Sequence, residues 1–188
     1  MTFGRLLLAA LLVSGCAGLG SVTAPPAPSA ARPIATPNAL RTPGPFTDPG
    51  PIGVTEMAVV TFVIDGDTVR VKKNGDEFNE YTVRYIGMDA PERESEPLWE
   101  ESADANEALV LGREVFLEPD VSDTDRHGRL LRHVWIPLDG RWVNANAEIV
   151  RLGLAEARSY PPDVLWDAIY AAAESEARAA DRGIWSPR

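Results

Sequence analysis

Three short runs of β-branched residues, each ending at a turn residue, most constrain the fold of this chain. The runs 58–64, 68–73 and 80–86 are rich in valine and threonine, and each is followed directly by aspartate, asparagine or glycine. Such runs are typical of antiparallel strands. The spacing predicts two further strands at 114–118 and 130–136. Five short strands in one small domain predict a closed barrel of the OB type.

Three segments with helical periodicity accompany these strands. The segment 97–112 carries apolar residues at helical spacing, 146–152 ends at Gly153, and 163–181 follows two prolines and ends before Gly183. Glycine directly after an apolar periodic segment is a helix stop signal. The sequence therefore predicts an α+β fold, a five-stranded OB-like β-barrel with three α-helices.

The first sixteen residues have the pattern of a signal peptide. One arginine is followed by the apolar stretch 6–13 and by small residues before Cys16, the only cysteine of the chain. The segment is too short to span a membrane. It resembles a bacterial lipoprotein signal, so we expect Cys16 to be lipidated and to anchor an exported protein to the bacterial cell envelope. The alternative is a secreted protein with an incidental cysteine in its signal.

Residues 17–56 are rich in proline, alanine, glycine, serine and threonine. Such a composition buries too little apolar surface to fold, and repeated prolines keep a chain extended. We expect a disordered tether over 17–56 and one folded domain over 57–188.

The overall charge argues against tight binding of a nucleic-acid polymer. The chain has 18 Lys and Arg against 28 Asp and Glu, a net charge of −10. Proteins that bind nucleic acid tightly usually carry a basic surface. A local arginine cluster can still hold one phosphate, because salt screens distant charges. We therefore expect modest, salt-sensitive affinity for long polymers.

Carboxylates and one arginine recur at the ends of the first three predicted strands. Asp65 and Asp67 follow the first strand, Arg84 lies in the third, and Asp89 and Glu92 come shortly after it. Each has an ordinary structural interpretation when taken singly, since Asp-Gly is a common turn and arginine often pairs with a carboxylate. Together, carboxylates can bind a hard cation and arginines can clamp a phosphate.

Two details bear on the kind of metal. Pro91 lacks an N–H and leaves the carbonyl of Ala90 free, and a carbonyl oxygen is a ligand that Ca²⁺ accepts. The two histidines do not form a cluster with the single cysteine: His127 lies in a polar loop, and His133 inside a predicted strand is interpreted as structural. Zinc chemistry is therefore disfavoured.

A second arginine motif follows in the loop 125–129, which reads Asp-Arg-His-Gly-Arg. The glycine indicates a turn, and we expect that turn to direct Arg129 toward the mouth of the barrel.

The joint pattern resembles the staphylococcal nuclease, or thermonuclease, family. It consists of Asp-Gly-Asp-Thr-Val, then arginine followed by Asp-Ala-Pro-Glu, then Asp-Arg-His-Gly-Arg, in this order along the chain. The resemblance extends over about 58–186 and ends in Gly-Ile-Trp-Ser. It implies a Ca²⁺-dependent nuclease that cleaves DNA and RNA with little sequence preference, leaves 3′-phosphates and acts as a monomer.

The resemblance also implies roles for the acidic residues. Asp67 and Asp89 would bind Ca²⁺ through their carboxylates, and the backbone carbonyl of Ala90 would be a further ligand. The family usually has threonine where this chain has Ala90, a harmless change for a backbone ligand. Asp65 would hydrogen-bond waters on the metal, and Glu92 would orient or deprotonate the attacking water.

The same resemblance assigns Arg84 and Arg129 to the phosphate that is hydrolysed, where they would grip oxygens that gain charge. Arg126 and His127 stand where the family has a lysine and tyrosine pair. Only Tyr160 is present where the family has two tyrosines that contact substrate. Alternatives to the enzyme are a non-catalytic OB-type nucleic-acid-binding module and a Ca²⁺-binding envelope protein.

Overall fold

The protein is described by a computed structural model, which covers residues 48–92 and 96–187. The predicted signal peptide, Cys16 and the predicted tether as far as residue 47 lie outside the described residues. Among the helices of the described ranges, none is both long and apolar enough to cross a membrane.

The described residues form eight strands and three α-helices. The strands are β1 (Glu56–Val63), β2 (Thr68–Lys73), β3 (Tyr81–Tyr85), β4 (Met88–Asp89), β5 (Glu114–Glu118), β6 (Leu130–Leu138), β7 (Arg141–Asn144) and β8 (Glu156–Ala157). The helices are α1 (Trp99–Val110), α2 (Ala145–Arg151) and α3 (Asp167–Ala179), and a short 3₁₀ helix covers Gly183–Trp185.

The main sheet closes on itself. Its strands follow the order β3-β2-β1-β5-β6-β7, and β3 also pairs with β6 in parallel. This last pairing joins the two ends of the five strands β1, β2, β3, β5 and β6, while β7 extends β6 as a hairpin. The predicted α+β fold, a five-stranded OB-like barrel with three helices, is therefore confirmed.

Alternation within the strands directs one face of each to the barrel interior. In β2, Val69 and Val71 are fully buried while Arg70 and Lys72 are exposed. The helices α2 and α3 cover the outside of the barrel and pack on each other, and Tyr170 of α3 lies in the same apolar core. The interior is thus filled by side chains, which leaves the strand ends to carry polar groups.

Three strands were not predicted. Two of them, β4 and β8, contain two residues each and pair with one another, Met88 opposite Ala157. The third, β7, forms a hairpin with β6, and its last residue, Asn144, caps α2 by accepting a hydrogen bond from the backbone N–H of Ala147 at 2.9 Å.

The predicted tether ends earlier than residue 56. Asp48 accepts a hydrogen bond from the backbone N–H of Asn144 at 2.8 Å and pairs with Arg151 at 3.3 Å. Glu56 is already the first residue of β1. The prediction of a tether up to residue 56 is wrong at this end, because composition does not reveal partners that another part of the chain supplies to a proline-rich segment.

Glu118 holds this N-terminal segment against the barrel. Its side chain is completely buried, and Oε1 accepts from the backbone N–H groups of Ile52 at 2.9 Å and Gly53 at 2.7 Å. The other oxygen, Oε2, accepts from the indole N–H groups of Trp135 and Trp166, each at 2.8 Å. Four donors thus satisfy one buried carboxylate, as burial of such a group requires.

Glu118→Gln is expected to lower the free energy of unfolding by about 2 to 4 kcal/mol. The amide group would face two N–H donors at whichever end it occupies, so at least one pair of donors loses its acceptor in the interior. Urea denaturation followed by tryptophan fluorescence measures the change. Glu114→Gln, on an exposed residue of the same strand, serves as the control, and equal stability of both variants would contradict this role of Glu118.

Candidate active site

Arg84 gathers three carboxylates at one end of the barrel. Its Nη1 donates to Asp67 and, at 3.0 Å, to Oε1 of Glu92, while Nη2 donates to Oδ1 of Asp89 at 2.8 Å. The pairing of β2 with β3 sets Arg84 opposite Thr68, which brings Asp67 within reach of the guanidinium. Four residues that the sequence singled out therefore lie together.

Asp67 is the innermost member of this group. It is fully buried, and it accepts from the backbone N–H of Ala90 at 2.8 Å and from the hydroxyl of Thr68 at 3.0 Å. Asp65 accepts from the backbone N–H of Asp67 at 3.0 Å, which closes the turn between β1 and β2. These bonds fix the position of the Asp67 carboxylate before any ligand arrives.

The turn that carries Asp67 requires glycine at its centre. A Cβ on Gly66 would lie 1.9 Å from the hydroxyl oxygen of Ser102 and 2.8 Å from the Cβ of Ala90. Helix α1 therefore packs directly on the turn, and the turn cannot move outward without losing that contact.

Burial determines the electrostatics of this carboxylate. It raises the pKa of Asp67 to about 7, against the opposing effect of the Arg84 guanidinium. Burial makes the ionised form of a carboxyl costly, and a raised pKa means that the surrounding positive charge does not fully offset this cost. Further positive charge at this position would therefore stabilise the ionised form.

The donor set fits a hard divalent cation. Asp67, Asp89 and Glu92 each offer a carboxylate oxygen, and these oxygens lie within 4.8 Å of one another. Asp67 is buried, Asp89 is half-buried and Glu92 is exposed, so the group opens to solvent on the side of Glu92. Oxygen ligands without histidine or cysteine are those that Ca²⁺ and Mg²⁺ prefer. The backbone N–H of Ala90 donates to Asp67, and the role of the Ala90 carbonyl as a metal ligand stays a prediction.

A second arginine, which was not found from the sequence, reaches one of the same carboxylates. Nη1 of Arg158 donates to Oδ2 of Asp89 at 2.6 Å, on the oxygen that Arg84 leaves free. The backbone N–H of Arg158 donates to the carbonyl of Gly87 at 2.9 Å, directly after the pairing of β4 with β8. The only signal in the sequence was a lone arginine beside the predicted substrate residue Tyr160.

The structure brings Tyr160 to this group as well. Burial, the largest effect, and the negative charge of Asp89 raise the pKa of its hydroxyl, while Arg158 and Arg84 lower it. The guanidinium carbon of Arg158 lies 5.8 Å from the centre of its ring. The tyrosine remains 40% exposed, so a ligand can reach part of it.

Arg129 lies nearby in the fold but has a different recorded partner. Its Nε donates to Oδ2 of Asp125 at 2.7 Å within the loop before β6. Because Arg84 pairs with Leu131 in the parallel register of β3 and β6, Arg129 precedes the level of Arg84 by two residues. Burial alone would raise the pKa of the Asp125 carboxyl. Hydrogen bonds from Arg129 outweigh this effect, so the pKa of Asp125 lies below its ordinary value.

The two remaining predicted site residues of that loop, Arg126 and His127, contact each other. Nε of Arg126 donates to Nε2 of His127 at 3.0 Å, and both side chains belong to an exposed turn. Their recorded partners lie within the loop, so their contact with substrate stays a prediction. His133, in contrast, is fully buried, with Nδ1 2.7 Å from the hydroxyl of Tyr170. This agrees with its interpretation as a structural residue.

Comparison with known proteins finds one matching family and several similar proteins. The model of the family described as Staphylococcal nuclease homologue matches residues 82–187. A thermonuclease of Staphylococcus hyicus is 33% identical over 149 residues, which cover 76% of this chain and 84% of that protein. A thermonuclease of Staphylococcus intermedius is 30% identical over 147 residues, covering 76% and 83%. A relative from Eremothecium gossypii named as a probable endonuclease is 34% identical over 115 residues, covering 57% and 41%.

Proposed function

The chain belongs to the family of staphylococcal nuclease homologues, and we propose that this nuclease uses Ca²⁺ to hydrolyse phosphodiester bonds of both DNA and RNA. In this proposal it acts as a monomer with little sequence preference and leaves 3′-phosphate ends. The observation that supports it best is the group of three carboxylates within 4.8 Å, with Arg84 bonded to all of them.

The carboxylates divide between holding a cation and handling a proton. Asp67 and Asp89 would hold Ca²⁺, because their positions are fixed by bonds to the barrel and to two arginines. When bound there, such a cation polarises a phosphoryl oxygen and makes a bound water more acidic. Glu92, with 48% of its side chain exposed, is the member that can accept a proton from an attacking water and release it to solvent.

Arg84 would bind the phosphate that is hydrolysed. A guanidinium is planar and offers paired donors that match two phosphate oxygens, which a lysine cannot do. Its present partners are carboxylates that a bound cation would also neutralise, so the guanidinium can exchange one of them for a phosphate oxygen. Phosphoryl transfer depends chiefly on such positioning and charge stabilisation.

Removal of calcium tests the proposal directly. Residues 48–188 are expected to degrade single-stranded and duplex DNA and RNA in Ca²⁺ and to stop when a chelator is added. Mg²⁺ should support little activity, since it requires near-ideal octahedral geometry and releases its waters reluctantly. Gel analysis of products, with phosphatase sensitivity of the 3′ ends, provides the measurement. Undiminished cleavage in chelator would refute the metal, and intact substrate in Ca²⁺ would leave only a binding module.

The location of the enzyme is a separate part of the proposal. The apolar stretch 6–13 followed by small residues and Cys16 supports export and a lipid anchor on the bacterial cell envelope. Cys16→Ser is expected to move the protein out of the membrane fraction or to block processing of its signal. Fractionation and mass spectrometry of the native chain measure this, with Ser14→Ala as a control. A soluble mature protein with an unmodified thiol would refute the anchor.

A further inference from the structure

Arg158 is an exposed cation at the candidate active site to which neither the motifs nor the comparisons give a role. Its guanidinium is bound to one oxygen of Asp89 at 2.6 Å, and 57% of its side chain is exposed. Arg84, on the other oxygen of the same carboxylate, has 10% of its side chain exposed. The two arginines therefore differ in what can reach them, since only Arg158 faces solvent.

The fold does not depend on the side chain of Arg158. Its backbone is held by the pairing of β4 with β8 and by the hydrogen bond from its N–H to the carbonyl of Gly87. An ion pair as exposed as that with Asp89 contributes little to stability, because water and salt screen it. A residue that the fold does not require, placed beside reactive groups, is available for a ligand.

The charges around Asp89 indicate which ligand that would be. Asp67, Asp89 and Glu92 carry three negative charges when ionised, which Arg84 and one divalent cation would balance together. With the cation bound, Asp89 would no longer depend on Arg158, whose guanidinium faces solvent and can exchange this carboxylate for another anion. A guanidinium fork offers paired donors that match two oxygens of a phosphate.

We propose that Arg158 binds a phosphate of the substrate strand next to the phosphate that is hydrolysed. This inference rests on the proposed nuclease function and adds a substrate-binding residue to it. Tyr160 supports it: its half-exposed ring lies 5.8 Å from the guanidinium carbon, so a base stacked on the ring would belong to the nucleotide whose phosphate Arg158 binds.

The acidity of the chain makes one such contact important. With a net charge of −10, the protein has no general attraction for a polyanion, and individual arginines must supply it. Arg158 thereby favours a strand with neighbouring phosphates over an isolated phosphodiester. The enzyme is specific for polymers through this contact and not through a broad basic surface.

Two oligonucleotides separate the roles of the two phosphates. Each contains one natural phosphodiester; its neighbours are charged phosphorothioates in the first and uncharged methylphosphonates in the second. For the wild-type enzyme, kcat/KM is expected to be about tenfold higher on the charged strand, the scale of one charge-assisted hydrogen bond. Arg158→Ala is expected to remove this difference mainly through KM, and Arg158→Lys to restore part of it.

Arg70→Ala provides the matched control. Arg70 is also a half-exposed arginine with one carboxylate partner, Glu80 at 3.8 Å, and one aromatic ring, Phe62 at 5.2 Å, none of which belongs to the site. Its removal changes the net charge equally and should preserve the discrimination between the two strands.

Binding without cleavage provides a second measurement. With Ca²⁺ present, fluorescence anisotropy with a strand that has a methylphosphonate at the central linkage and phosphorothioate neighbours should show several-fold weaker binding for Arg158→Ala. The slope of log K against log salt should fall by about 0.7. If wild-type enzyme cleaves both strands and Arg158→Ala discriminates as wild type does, the inference about Arg158 is wrong while the nuclease stands. If wild type cleaves neither, the proposed function fails instead.

Discussion

Asp67→Asn is expected to abolish Ca²⁺-dependent cleavage while the barrel remains folded. Asparagine keeps the size of the side chain and an oxygen that can accept from the N–H of Ala90, but it removes a full charge from a buried position. Two unit charges about 4 Å apart attract by about 4 kcal/mol at an effective dielectric constant of 20. Loss of one of three carboxylates should therefore weaken Ca²⁺ binding by at least about a hundredfold.

Calorimetric titration with Ca²⁺ measures the affinity, and urea denaturation shows that the variant is folded. Asp89→Asn should behave in the same way, since it supplies another oxygen of the group. Asp139→Asn is the control: this aspartate lies in an exposed turn at φ 52°, a conformation that asparagine tolerates well. Ca²⁺ binding at wild-type affinity in both site variants would refute the assignment of these carboxylates to the metal.

Arg84→Lys is expected to reduce kcat at least about a hundredfold with a small change in KM. The substitution keeps the charge and loses the fork, so it removes an interaction that gains strength as negative charge develops on the phosphate. Arginines that stabilise such charge contribute roughly 10³ to 10⁵ in rate. Because Arg84 also bonds to all three carboxylates, the rate must be measured at Ca²⁺ concentrations shown by calorimetry to be saturating.

Arg129→Lys is expected to lower kcat by a similar factor, although Arg129 is at present bonded to Asp125. The exposed Arg113, outside the site, serves as the control when changed to lysine. A residue that only binds substrate would tolerate lysine, and any loss would then appear in KM and in the salt dependence. Near-native kcat in both site variants would contradict the assignment of the two arginines to the phosphate.

Local patterns in the sequence predicted the parts of the structure that depend on local interactions. The predicted bounds of 68–73 and 114–118 agree with those of β2 and β5, because alternating apolar residues, Val69 and Val71 in β2 and Val115 and Leu117 in β5, leave one register that buries them. Asp67 and Arg84 could be placed together for the same reason, since a hairpin joins their strands.

The parts that were missed depend on contacts between distant segments. Arg158 bonds to Asp89 across 69 residues of chain, and the pairing that brings them together involves strands of two residues, too short to show any periodicity. The early end of the tether was missed for a related reason. The Asp48 side chain accepts from the backbone N–H of Asn144, and Glu118 accepts from the backbone of the segment; a proline-rich composition contains no information about partners supplied by another part of the chain.

The parallel pairing of β3 with β6 also has a consequence for when the enzyme becomes active. Contacts between distant segments form late and slowly during folding, because the chain loses much entropy before they stabilise it. Asp89 meets Arg158 beside the pairing of β4 with β8, and Arg84 lies on the strand whose pairing with β6 closes the barrel. The complete site therefore depends on pairings between distant segments, and we expect cleavage to appear only late in the folding of the chain.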